Sequence, residues 1–207
     1  MSSYSPERIV RYGKPLVFCL CLAPLALLVY RGASGAIGPN PVEAVTHFTG
    51  DWTLRILLIT LAVTPLRRIT GMGWLLRFRR MLGLFAFFYA CLHLLTYLWL
   101  DQFFALGAIL EDIVQRPYIT AGFAAFLLIM VPLAVTSTKG MVRRLGKRWR
   151  TLHRAVYAIA VLGVLHFLWL AKADITEPAI YGLALSLLLL SRLPFNQLTD
   201  WLPARSA

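Results

Sequence analysis

The chain has 207 residues, of which 59% are hydrophobic and 14% charged, with a mean hydropathy of +0.70. A soluble domain runs at about 45–50% apolar and about 25% charged, so that class is excluded. Twenty-one Lys and Arg against nine Asp and Glu leave a net charge of +12, which in a soluble protein points first to nucleic acid; with this apolar excess it reads instead as loops retained on one side of a membrane, and no nucleic acid is expected as a partner.

Six apolar stretches follow in chain order, at 15–30, 54–66, 81–100, 119–136, 155–171 and 178–193, each near the ~17–25 residues that cross about 30 Å of hydrocarbon. The first follows a polar segment holding Arg8, Arg11 and Lys14 with no small-residue cleavage site, so it reads as a retained helix and not a signal peptide. The second is short and begins at Arg55, which implies extension outward past Trp52 with the guanidinium snorkelling to the interface. The expected fold is all-α: a bundle of six transmembrane helices. No loop exceeds about 25 residues, too few for a separate soluble core, so residues 1–207 read as one domain.

Basic residues orient the bundle. Seventeen of the twenty-one fall in the N-terminal segment, the loops 67–80 and 139–154, and the C-terminal tail, whereas seven of the nine acidic residues fall on the opposite face. Positive charge stays on the cytoplasmic side, so both termini are expected inside. Cys19 and Cys21 lie two apart and face different directions on a helix, and no CxxC signature occurs.

Ionisable groups at membrane depth are costly and therefore candidates for function. His93 in the third span and His166 in the fifth each lie thirteen residues beyond the cytoplasmic entry, at Arg80 and His153, roughly 20 Å along a helix rising 1.5 Å per residue. Two imidazoles at one depth on different helices suit a single ligand between them, and an apolar setting suits the axial ligation of a b-type haem, which needs no covalent attachment motif. Ala86 and Ala90 share the face of His93, with Gly83 beside them and Tyr97 one turn above. Such a stripe serves a flat macrocycle or merely close helix contact.

The remaining candidates are less specific. His153 sits in the basic run RRLGKRWRTLHR and reads from spacing alone as a solvated interfacial residue, the other option being an inner-leaflet ligand for a second haem. Arg79, Arg80, Arg150 and Arg154 border the histidine-bearing spans and are candidates for propionate, flavin-phosphate or lipid-headgroup contacts. His47, in NPVEAVTHFTGDW, reads as an outer-loop residue. No phosphate-binding glycine loop, HExxH or nucleophilic triad is present, and no catalytic residue is assigned.

Three segments, RRMLGLFAFFYACLHLLTYLWLDQ, TSTKGMVRRLGKRWRTLHRAVYAIAVLGVLHFLW and NPVEAVTHFTGDW, resemble the MsrQ (formerly YedZ) family, within the ferric-reductase-like transmembrane group. The resemblance covers nearly the whole chain. It implies a haem-b electron-transfer subunit of the bacterial inner membrane, drawing electrons from the quinone pool and delivering them to a periplasmic molybdenum-cofactor enzyme, an MsrP-like methionine sulfoxide reductase that repairs oxidised proteins. The family's haem histidines fall on His93 and His166, and its third histidine on His153. The resemblance also implies FMN and a cytosolic flavin reductase as another electron source, for which no residue pattern was found. Rival readings are a transmembrane ferric or other metal reductase and, from a different class, a cofactor-free transporter or membrane scaffold.

Overall fold

A computed structural model describes residues 6–136, 138–171 and 174–193; within these, the side chains of Lys139, Val142, Trp149 and Arg150 lie outside the description. All the secondary structure among the described residues is helical. The helices are α1 (Pro6–Ala33), α2 (Pro41–Thr70), α3 (Arg79–Leu95), α4 (Leu106–Gln115), α5 (Pro117–Val135), α6 (Lys139–Leu145), α7 (Arg148–His153), α8 (Ala155–Leu170) and α9 (Thr176–Leu190). A 3₁₀ turn, Gly73–Arg77, precedes α3, and a π-helical turn, Thr96–Asp101, continues it.

Among the described residues, four helical segments are long and apolar enough to cross a membrane: Pro6–Ala33, Arg79–Asp101, Pro117–Val135 and Thr151–Leu170. The six expected spans therefore divide into four of full length and two that differ. The helix through 54–66 has ample length, at 30 residues, but carries Asp51, Arg55 and a basic last turn. The last span is apolar but short, Thr176–Leu190 having 15 residues.

The start of α2 corrects the reading of NPVEAVTHFTGDW as a loop. The Asn40 side chain caps the helix by accepting from the Glu43 N–H, Pro41 occupies the first turn, and Gly71 ends the helix in the left-handed conformation at φ 70°. His47 is therefore an exposed helical residue. Thirty residues make a rod of about 45 Å, longer than the hydrocarbon thickness, so an end projects beyond it.

Packing is organised in two pairs. The most extensive helix contacts are α2 against α3 and α5 against α8, with α9 on α8. Tyr89 of α3, fully buried, ties α1 to this core: its hydroxyl donates to the Cys21 carbonyl at 2.8 Å and accepts from the Leu25 N–H at 3.1 Å. The hydroxyl thereby bridges a donor and acceptor that an undisturbed helix would pair directly. In α2, Pro65 has no N–H for the carbonyl of Leu61, four residues earlier. Arg192, beyond α9, supplies the missing donor at 2.5 Å and also donates to the Tyr157 hydroxyl.

Candidate functional site

His93 lies in the last turn of α3 and His166 in the last third of α8. Their rings face each other with centroids 6.0 Å apart and planes crossed at 76°. The two histidines singled out by depth are thus brought together, although they sit 73 residues apart in the chain.

Each imidazole is held from behind by the neighbouring helix of its own pair. His93 Nδ1 lies 2.9 Å from the Thr46 carbonyl oxygen on α2, and His166 Nδ1 lies 2.6 Å from the Tyr118 carbonyl oxygen on α5. A carbonyl only accepts, so in both rings Nδ1 carries the hydrogen and donates it. The tautomer leaves Nε2 unprotonated and able to ligate a metal, and a carbonyl on the opposite nitrogen is the usual device for orienting a metal-binding histidine.

Both contacts depend on a glycine. A Cβ on Gly50 would stand 3.0 Å from His93 Cε1 and 3.1 Å from its Nδ1; one on Gly122 would stand 2.8 Å from His166 Nδ1. Gly50 follows Thr46, and Gly122 follows Tyr118, by one helical turn, so the two imidazoles are seated in the same way on two different helix pairs.

The spacing suits a shared metal. Two imidazoles binding one metal ion from opposite sides, with nitrogen–metal bonds of about 2 Å, have ring centroids roughly 6 Å apart. Thr46 adds a further polar group: its hydroxyl, like that of Thr64 on the same helix, is buried and has no hydrogen-bond partner among the described residues, whereas Thr49, Thr53 and Thr60 bond back to a preceding turn.

One turn beyond His93 a polar cluster begins. Tyr97 and Gln102 both donate to Asp112 Oδ2, at 3.2 and 3.1 Å, and Arg116 forms an ion pair with Asp112 Oδ1 at 3.2 Å. Tyr97 is one turn beyond His93, and Arg116 immediately precedes the helix whose Tyr118 carbonyl holds His166. The cluster ties the amphipathic α4 to the turn that continues α3 and to the residue before α5, with Ile109 buried and Leu106, Leu110 and Val114 exposed.

The other sequence candidates are placed differently. His153 closes α7, thirteen residues before His166 and about 20 Å from it at helical rise. Arg79 is half-buried, while Arg80 and Arg154 are exposed; the Arg150 side chain lies outside the described residues. Arg192, which the sequence places in the C-terminal tail, is bonded into the bundle through Tyr157 and the Leu61 carbonyl. Thr46, Gly50, Tyr118 and Gly122 were not singled out from the sequence.

Comparison with known proteins agrees with this layout. Residues 49–164 match the family model described as ferric reductase like transmembrane component. A protein of Rhodospirillum rubrum is 58% identical over 184 residues, 88% of each chain. One of Herminiimonas arsenicoxydans is 53% identical over 182 residues, covering 86% of this chain and 83% of its own, and one of Xanthomonas euvesicatoria is 55% identical over 183 residues, 86% and 84%. All three are named protein-methionine-sulfoxide reductase heme-binding subunit MsrQ.

Proposed function

This chain belongs to the MsrQ family of ferric-reductase-like transmembrane proteins, and on that premise we propose that it is the haem-binding electron-transfer subunit of a methionine sulfoxide reductase system. The observation that carries the proposal is the His93–His166 pair, two imidazoles 6.0 Å apart whose Nδ1 hydrogens are both committed to backbone carbonyls. In this reading His93 and His166 would hold one b-type haem between them through Nε2, and the chemistry such a group would supply there is one-electron transfer.

The residues of the chain do the rest. Thr46 and Tyr118 hold the imidazoles in the ligating tautomer through their carbonyls, and the apolar helices around them keep water from the site. The Tyr97–Asp112–Arg116 cluster ties α4 to the segments that continue α3 and precede α5. Arg79, Arg80, Arg150 and Arg154 serve chiefly to keep their loops cytoplasmic, with anionic cofactor or lipid groups as their available ligands. His153, at the other end of α8, is the residue available to a second haem.

The chain is proposed to form a single unit in the bacterial inner membrane, crossing six times with both termini in the cytoplasm. Electrons enter from quinol, or from a reduced flavin such as FMN served by a cytosolic flavin reductase, and leave at the periplasmic face for an MsrP-like molybdoprotein.

The test is the visible spectrum of the detergent-purified protein, oxidised and dithionite-reduced, with a pyridine haemochrome to count haems per chain. Sharp low-spin b-type bands are expected. A colourless protein after expression with ample haem would overturn the proposal and leave a transporter or scaffold.

A further inference from the structure

The two glycines beside the histidines are the feature that neither the family nor the relatives' names explain. Of the described glycines in helices, Gly13 also lies close to a ring, but it meets the far edge of the Phe78 side chain. Gly50 and Gly122 both meet the Nδ1–Cε1 edge of a histidine, and both lie four residues after the carbonyl that the same histidine uses.

The geometry of a helix explains the association. A carbonyl at position i already accepts from the N–H at i+4, and the side chain at i+4 leans back toward that carbonyl. A slender hydroxyl can still reach that oxygen past a side chain, as Tyr89 reaches Cys21 beside Leu25, but an imidazole ring laid against the helix needs the space, and a Cβ at Gly50 or Gly122 would stand about 3 Å from it. Glycine and carbonyl therefore form a single seat, and the chain builds it twice, on α2 and on α5.

We propose that Gly50 and Gly122 are positioning residues that hold the His93 and His166 ring planes crossed and their Nδ1 hydrogens bonded, and so tune the group between them; this rests on the haem reading above. Each seat fixes one ring from a separate helix, which is why the planes stay at 76° when nothing in the histidines themselves prefers that angle. An Nδ1–H bonded to a carbonyl makes Nε2 a stronger donor, which favours the ferric state. Displacing the ring from its seat weakens that bond and raises the reduction potential.

The experiment is electron paramagnetic resonance of the ferric holoprotein, with a spectroelectrochemical titration, on the unsubstituted protein and on Gly50→Ala, Gly122→Ala and Gly182→Ala. A Cβ at Gly182 on α9 meets only Val164 Cγ1, at an ordinary 3.7 Å, so that variant controls for substituting a helical glycine. Crossed axial planes give a highly anisotropic low-spin signal with one dominant low-field feature; nearly parallel planes give a rhombic one. The unsubstituted and Gly182→Ala proteins should show the first. Gly50→Ala and Gly122→Ala should move toward the second, raise the potential, and hold haem about 10–100-fold less tightly.

A rhombic signal from the unsubstituted protein would overturn the proposal, and so would Gly50→Ala and Gly122→Ala variants with the potential and signal of Gly182→Ala. If the alanine variants fail to accumulate, the unsubstituted signal alone decides. Failure of the haem reading is distinct: the protein would bind no haem, or His93→Ala would keep the full spectrum.

Discussion

Arg192 donates to the carbonyl oxygen of Leu61, the oxygen that Pro65 leaves without its helical donor. Leu61 is fully buried, so water cannot take over when the guanidinium is removed. Arg192→Ala should destabilise the protein by about 1–3 kcal/mol, the cost of a buried unsatisfied acceptor. Replacing Pro65 by Ala in the same chain restores an N–H at the right position and should recover much of that loss. Thermal unfolding of the detergent-purified single and double variants checks both; equal melting temperatures for the two would show that the orphaned carbonyl is not the cause.

Because His93 and His166 are proposed to share one group, each is necessary and neither sufficient. His93→Ala and His166→Ala should each remove the same low-spin band, and combining them should remove no more. His153→Ala should leave that band intact. Difference spectra of the three variants, normalised to protein, would contradict the shared site if the losses from His93→Ala and His166→Ala were additive.

Asp112 is the hub of its polar cluster, bonded to Tyr97, Gln102 and Arg116. Only 14% of its side chain is exposed, so its removal takes away the acceptor that Tyr97, Gln102 and Arg116 share. Asp112→Ala should release α4, with faster hydrogen exchange and proteolysis across 102–116, while the exchange of α2 and α3 stays unchanged. Protection of α4 equal to that of the unsubstituted protein would assign its anchoring to Ile109 instead.

Asp174, before α9, is held below its ordinary carboxylate range by hydrogen bonds from the Thr176 hydroxyl and N–H. A depressed folded value means that the bonds stabilise the helix start above the unfolded value of about 4, and that the contribution is lost as pH falls through the folded value. The first amides of α9 should therefore exchange faster, relative to the intrinsic rate, as pH drops below about 4. Asp174→Asn should flatten that dependence, and an unchanged profile in the variant would assign it to another group.

Much of the architecture was legible along the chain. Hydropathy marks the apolar helices because transfer from water is a property of each segment by itself, and positive-inside bias orders the loops for the same reason. The depth of His93 and His166 followed from a count of residues at a fixed helical rise. The helical start of α2 was also within reach, since Asn40, Pro41 and Glu43 form a capping pattern; an expectation of polar outer loops obscured it.

What only the tertiary structure decided is which faces meet. Helices such as α5 and α8 are apolar around their whole circumference, so periodicity says nothing of their rotation about their own axes. That rotation determines that Gly50 and Gly122 lie under the histidines, that the Thr46 and Tyr118 carbonyls receive Nδ1, and that Arg192 finds Leu61 across 131 residues of chain. The amino-acid sequence by itself placed two imidazoles at one depth; close packing of four helices turned them toward each other.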